Sequence, residues 1–424
     1  MAVILGAGVS ACGGSDGDSD GASSGGEGAS GEARVELDAD CPTEEGPDAV
    51  DSEIDGGAPI VWARETGGAS GTTPPLDGAL VFYVVAPTQG LTPFALALDA
   101  ETGERLWCTT ADHLVSPDEN VPDSSHQPVL VSDGVSLVAF DAETGEQMWT
   151  SEPGQTLLAR NTEVLIVEGG DVVHALDVSD GTEMWSHDLG DSSTTTCVGP
   201  DTVTVETVDG DRSEILGLGL TDGGERWRSE GTAGLLCLPG TDLALTLTPD
   251  TFSPIDMATG EVGAALPRAS DSLMTAPGSD IVVTYEGTEV IAHRVSQPAG
   301  EAWRTNFGEE MSSIDHLGDT VVVASGAKVA IYEAASGALV GEHAVGSGVE
   351  ALGRLGDVLV LGSDLESEES RTFAISASTG EELWSIDGIT SANPGVIVDQ
   401  TFYLHTSYSD LDGPDVIAVD LGAD

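Results

Sequence analysis

The stretch LALDAETGERLW, residues 96–107, decides the fold, because the chain writes it again and again. VAFDAETGEQMW (138–149), HALDVSDGTEMW (174–185), LGLTDGGERW (218–227), PIDMATGEV (254–262), AIYEAASGALV (330–340) and FAISASTGEELW (373–384) all lie over it. IAHRVSQPAGEAW (291–303) is a degenerate eighth copy. The turn glycines Gly103, Gly145, Gly181, Gly223, Gly260, Gly300, Gly337 and Gly380 recur at intervals of 36 to 43 residues, by difference of their positions. A period of about 40 residues with Gly and Trp in register predicts an all-β, closed β-propeller in which each unit is one four-stranded blade.

Each part of the unit has a physical role. The alternating run before the turn, Phe94 to Leu98 or Val172 to Leu176, reads as a half-buried strand. The turn is Asp-x-x-Thr-Gly, in which Asp accepts from backbone amides two or three residues on and Gly takes positive φ without steric cost. Trp then stands on the outer strand. All seven tryptophans, Trp62, Trp107, Trp149, Trp185, Trp227, Trp303 and Trp384, fall in this register. Each is expected to bury on the order of 200 Å² between blades, its indole N–H on a carbonyl.

Trp62 belongs to an outer-strand segment, Pro59-Ile-Val-Trp62, that no repeat precedes. At the other end, 395–398, 401–405 and 415–421 read as strands that no Trp strand follows. The N-terminal strand is therefore expected to complete the last blade and leave no free sheet edge. Counting the strand before each turn, near Leu98, Phe140, Leu176, Leu218, Ile255, Ile291, Ile331, Ile375 and Ile417, predicts eight or nine blades over residues 58–424. One of the degenerate units is expected to fall short of a whole blade.

The 424 residues carry 74 Asp and Glu against 13 Lys and Arg, a formal net charge of -61, with Lys328 the single lysine. Such a surface repels nucleic acid and anionic lipid headgroups, which need clustered Lys or Arg. Residues 1–11 form a short apolar run ending Val9-Ser10-Ala11-Cys12. That ending resembles the lipobox of bacterial lipoproteins, which implies cleavage before Cys12, a lipid on its sulfur and a place on the extracytoplasmic face of the membrane. The basic segment that opens a signal peptide is missing, so a truncated signal peptide is expected. Residues 12–57 then read as a lipidated, flexible acidic linker, dominated up to Gly31 by Gly, Ser, Asp, Ala and Glu.

Four further cysteines, Cys41, Cys108, Cys197 and Cys237, make an even count in an exported chain and favour two disulfides, for which three pairings exist. The preferred pairs are Cys41 with Cys108, pinning the arm to the first unit, and Cys197 with Cys237, which hold similar places in adjacent units.

At Asp99 to Trp107 and Asp141 to Trp149 the chain resembles the pyrroloquinoline-quinone (PQQ)-like repeat propellers, a resemblance that covers roughly residues 58 to 421. That group includes quinoprotein alcohol dehydrogenases and the outer-membrane assembly lipoprotein that scaffolds β-barrel insertion. The dehydrogenases share adjacent cysteines that form a ring disulfide over PQQ, a calcium beside the quinone and a catalytic Asp. Here no two cysteines are adjacent and no Asp matches that base. The resemblance thus implies a non-catalytic, monomeric scaffold without cofactor or metal, binding an extracytoplasmic protein or other ligand. A PQQ- and calcium-dependent dehydrogenase is the rival.

Other candidates are weaker. His174 and His293 sit in strand runs and read as packed or rim residues. His113 and His126 bound the longest insertion, 111–127, which also holds Asp118, Glu119 and Asp123 and is the first choice for a grafted binding surface. Asp410, Asp412 and Asp415 read as a polar hairpin tip.

Overall fold

The structure, a computed structural model, describes residues 58–64, 69–72, 78–84, 94–110, 113–114, 128–132, 135–190, 193–209, 212–230, 234–270, 272–296, 299–326, 328–345, 349–363, 371–387, 395–398, 400–405 and 416–422. Within them it is all-β, with nine sheets forming the blades of a propeller. Blades 1 to 8 are each continuous in sequence, spanning 69–110, 113–150, 156–188, 193–230, 235–267, 281–306, 311–344 and 350–387. The first strands of neighbouring blades touch, Thr156–Arg160 on Ser193–Val198 and Ser193–Val198 on Leu235–Cys237, so they line the axis and the Trp strands lie outermost.

Blade 9 is built from both ends of the described chain. Val396–Val398, Thr401–His405 and Val416–Asp420 supply its inner three strands, and Ile60–Arg64 is its fourth. The pairing is antiparallel, with Trp62 opposite Ala418 and Arg64 opposite Val416. The closing strand expected from the orphan Trp62 is therefore present. Blade 6 is the incomplete unit: three strands form a sheet, and its first strand is reduced to one bridge, Met274 to Val283. The residues before and after Met274 are rich in Ser, Asp, Pro and Gly, which suits turns and not strands.

Because both faces of every sheet are covered by neighbours, the second and third strands are apolar on both sides. Val358–Gly362 is buried along its whole length. Ala79, Val81, Ala95 and Ala97 of blade 1 pack on Val129, Val131, Val138 and Phe140 of blade 2. Trp62, Tyr403, Val416 and Ala418 of blade 9 join Leu80, Phe94, Leu96 and Leu98 of blade 1, which closes the ring with the same kind of core.

The repeated turn and Trp form one lock between adjacent blades. In blade 1, Asp99 Oδ1 accepts from the Thr102 amide at 2.8 Å and its hydroxyl at 2.9 Å, while Gly103 takes φ +66° and donates to the Asp99 carbonyl at 2.8 Å. The turn glycine has a second duty. A Cβ on Gly103 would lie 2.6 Å from the Trp62 ring, so the indole of the preceding blade rests on bare backbone. Trp62 Nε1 then donates to the Ala100 carbonyl at 2.9 Å. The arrangement recurs for Trp107 on Ala142, Trp149 on Val178, Trp185 on Leu220, Trp227 on Met257 and Trp303 on Ala334. Trp227 is half-buried and the other six tryptophans are buried.

Three seams depart from the pattern. Between blades 7 and 8, His343 stands in for Trp and its Nε2 lies 3.0 Å from the Ala377 carbonyl. Between blades 5 and 6 there is no Trp, since the outer strand is only Leu266–Pro267, and among the described residues nothing lies within 4 Å of where a Cβ on Gly300 would stand. Trp384 is buried between blades 8 and 9, but its indole N–H meets no acceptor among the described residues. Blade 9 takes its outer strand from the N-terminal segment, so the strand Val416–Asp420 does not lead into the usual Asp-x-x-Thr-Gly turn.

Candidate functional site

A cleft of about 610 Å³ opens at the seam of blades 2 and 3, a size common among small-ligand sites. One wall is the connection 151–155. It is pinned to blade 2 by Ser151, whose amide donates to the Leu137 carbonyl at 2.8 Å and whose Oγ accepts the Leu137 amide at 3.0 Å. The opposite wall is the tight hairpin at Gly169 and Gly170 in blade 3. The floor carries His174 and Leu176 from the third strand, with Gly181 and Glu183 leading into the fourth.

His174 faces the cleft because of strand alternation. Val173 and Ala175 are fully buried, so His174 turns to the same side as Leu176, whose side chain packs in the blade 2–3 core. Its Nδ1 lies 2.7 Å from Glu183 Oε2. A carboxylate can only accept, so Nδ1 carries a proton, and in the neutral form of the ring the lone pair falls on Nε2. That nitrogen points toward Gly169, where a Cβ would meet it at 3.3 Å and the Gln155 stem at 3.6 Å. Gln155 is 9% exposed, and its side-chain oxygen is buried without a hydrogen-bond partner among the described residues. Glu152 adds a second carboxylate, and no Lys or Arg lines the cleft.

A second group of titratable residues lies near the axis. Asp315 is on the first strand of blade 7 and Glu350 on the first strand of blade 8. Burial, helped by the charge of Glu350, pushes the Asp315 carboxyl up to about 7 against hydrogen bonds from the Ala351 amide and Ser313. Burial also raises Glu350. His316, next in the chain, is fully buried and held down to about 4 by that burial.

His293 is a packed core residue. It is fully buried, edge-on to Phe252 with ring centroids 5.3 Å apart, and burial lowers its pKa. Strand pairing explains why it differs from His174. Ala175 and Ala292 both face a Trp, so His174 stands one residue before that alanine and His293 one after, in the place of Leu176.

Of the expected cysteine pairs, the structure joins Cys197 and Cys237, with Cα atoms 5.4 Å apart, across the first strands of blades 4 and 5. Cys108 is also disulfide-bonded. Cys12 and Cys41 lie outside the described residues, as does the insertion 111–127 except for the strand His113–Leu114, and as do Asp410, Asp412 and Asp415. No cluster of three or more His, Cys, Asp or Glu fit to hold a metal occurs among the described residues. The signal that could have singled out His174 was its repeat position: Leu96, Val138, Leu216, Ile291 and Phe373 hold the same place before the alanine or glycine opposite Trp.

The family model described as "Outer membrane protein assembly factor BamB", of the PQQ-like propeller type, matches residues 95–234 and 287–422. The chain belongs to this family. Between the two matched stretches of this BamB-like chain lie the whole of blade 5 and the start of blade 6, the seam where the Trp lock is missing. No curated protein matches the chain. Among solved structures it is similar to BamB from Moraxella catarrhalis, at 16% identity over 74% of this chain and 96% of that one, with a TM-score of 0.42. It is also similar to the quinohemoprotein alcohol dehydrogenase ADHIIG from Pseudomonas putida HK5, at 14% identity over 84% and 76%, with a TM-score of 0.42. Saccharomyces cerevisiae Sqt1 is similar at 12% identity over 86% and 98%, with a TM-score of 0.46. Likenesses this distant carry no functional argument.

Proposed function

We propose that this BamB-like propeller is a non-catalytic binding or assembly scaffold for an extracytoplasmic protein, held at the membrane by a lipid on Cys12. The observation that carries the reading is the family match, which names an assembly factor and covers the blades on both sides of the ring. The repeat itself supports it: Asp, Thr, Gly and Trp of each unit are consumed by turns and seam locks, which leaves loops and clefts as the working surface. The linker 12–57 would let a tethered ring reach its partner at variable distance.

The PQQ chemistry of the dehydrogenase branch does not fit these residues. Its adjacent cysteines have no counterpart in the sequence, and Cys197 is committed to Cys237, 40 positions away.

Cross-linking of the intact, membrane-borne protein followed by mass spectrometry tests the scaffold reading. A recurrent extracytoplasmic protein linked to blade loops is the expected result. Incubation with PQQ and calcium, with dye-linked alcohol oxidation as readout, should give neither bound quinone absorbance nor turnover; either would overturn it. Cys12→Ser should release the protein or leave an uncleaved precursor, and equal lipid labelling of the variant would refute the anchor.

A further inference from the structure

We propose that the blade 2–3 cleft binds a primary ammonium group, carried by a lysine side chain or by a free polyamine, between the His174 ring and the Gln155 side chain. The inference rests on the scaffold reading and names the chemistry of one of its contacts. Three observations lead to it.

The cleft wants hydrogen-bond donors. The Glu183 carboxylate fixes a proton of His174 on Nδ1, so the neutral form of the ring presents its Nε2 lone pair toward Gly169 and Gln155. Gln155 brings a side-chain oxygen that is buried and unpartnered among the described residues, a situation that is costly unless a donor arrives. An ammonium group has three N–H donors and no acceptor, so it matches a lining made of acceptors.

The cleft also wants positive charge. Glu152 and Glu183 line it, no Lys or Arg does, and the chain as a whole carries -61. An anion would meet two carboxylates and a lone pair. A cation is drawn in by the field and then held by geometry.

The cleft is, finally, too poor in ligands for a metal. It offers one imidazole and one carboxylate in contact, and no metal-holding cluster occurs among the described residues. An organic cation needs only hydrogen bonds and space, and about 610 Å³ supplies the space.

Calorimetry and histidine ¹⁵N NMR on the full chain, in about 0.15 M salt to suppress diffuse binding, test the proposal with three probes. These are a neutral peptide bearing one lysine, the same peptide with that lysine acetylated, and spermidine. The expected result is saturable one-site binding of an amine probe that moves the His174 Nε2 resonance. It should weaken at least tenfold in Gln155→Leu and in Glu183→Gln, and stay unchanged in the distant Glu261→Gln. Gln155→Leu removes an unpartnered acceptor, so a melting temperature at or above that of the parent will show that it folds. Binding of the lysine peptide alone assigns the group to a protein partner, and binding of spermidine alone assigns it to a free amine. Uptake that never saturates, ignores the variants, or is as tight for the acetylated peptide overturns the proposal. If the amines fail while cross-linking still captures a partner, the scaffold reading stands and the cleft assignment falls.

Discussion

Asp315 shows how a single buried side chain contributes to the pH response of the ring. The unfolded chain ionises this carboxyl near its ordinary value, 3.8, whereas the folded protein keeps the proton up to about 7. Between those values the folded state holds more protons than the unfolded one, so this residue's contribution to stability falls as pH rises across the window. Asp315→Asn keeps the shape without the charge, and its benefit should be absent near pH 4 and largest above pH 7, about 2 to 4 kcal/mol at most. Thermal melts at pH 4 and pH 8 check it; a variant less stable than the parent at pH 8 would refute it. Sequence alone could not foresee this, since burial of Asp315 depends on blades 7 and 8 meeting at the axis. The turn residues are different: Asp99, Thr102 and Gly103 act within five positions, so their roles were legible from spacing.

Among elements, the seams differ in how they are fastened. The seam of blades 4 and 5 has Trp227 on Met257 and, nearer the axis, the Cys197–Cys237 disulfide. The next seam has neither. With 40 residues between its cysteines, the disulfide is worth about 3 to 4 kcal/mol by chain-entropy reasoning. Cys197→Ser together with Cys237→Ser should lower stability by roughly that amount, read from urea unfolding under non-reducing conditions. An unchanged midpoint would show that the staple contributes nothing. The incomplete blade 6 was only half legible: its altered copy of the turn, 291–303, marked it as degenerate, but the loss of its first strand to a single bridge depends on pairing that repeats do not reveal. The cleft was less legible still, because it gathers a connection, a hairpin and two strands, and only His174 in an otherwise apolar repeat position hinted at it.

On the scale of the whole molecule, charge opposes the fold and closure preserves it. With -61 charges on 424 residues, self-repulsion favours the unfolded chain, and salt screens it. The melting temperature should therefore rise between about 0.01 and 1 M sodium chloride; a fall would mean that ion pairs such as Arg304 with Glu289 and Glu301 outweigh repulsion. Closure rests on Ile60–Arg64, which pairs with Val416–Asp420, seats Trp62 on Gly103, and sends Arg64 Nε to the Gly103 carbonyl at 2.9 Å. Trp62→Ala should cost about 3 to 5 kcal/mol, the usual range for a buried indole. The most direct test compares two truncations by thermal melting and light scattering. Both cysteines left to pair with Cys108 lie within residues 1–57, so every form carries Cys108→Ser. In that background, removing residues 1–57 should leave a soluble ring that melts as the untruncated chain does, whereas removing residues 1–66 should expose a sheet edge and the core around Trp62, lowering the melting temperature sharply or causing aggregation. Equal stability of the two truncations would contradict a ring closed by its N-terminal strand.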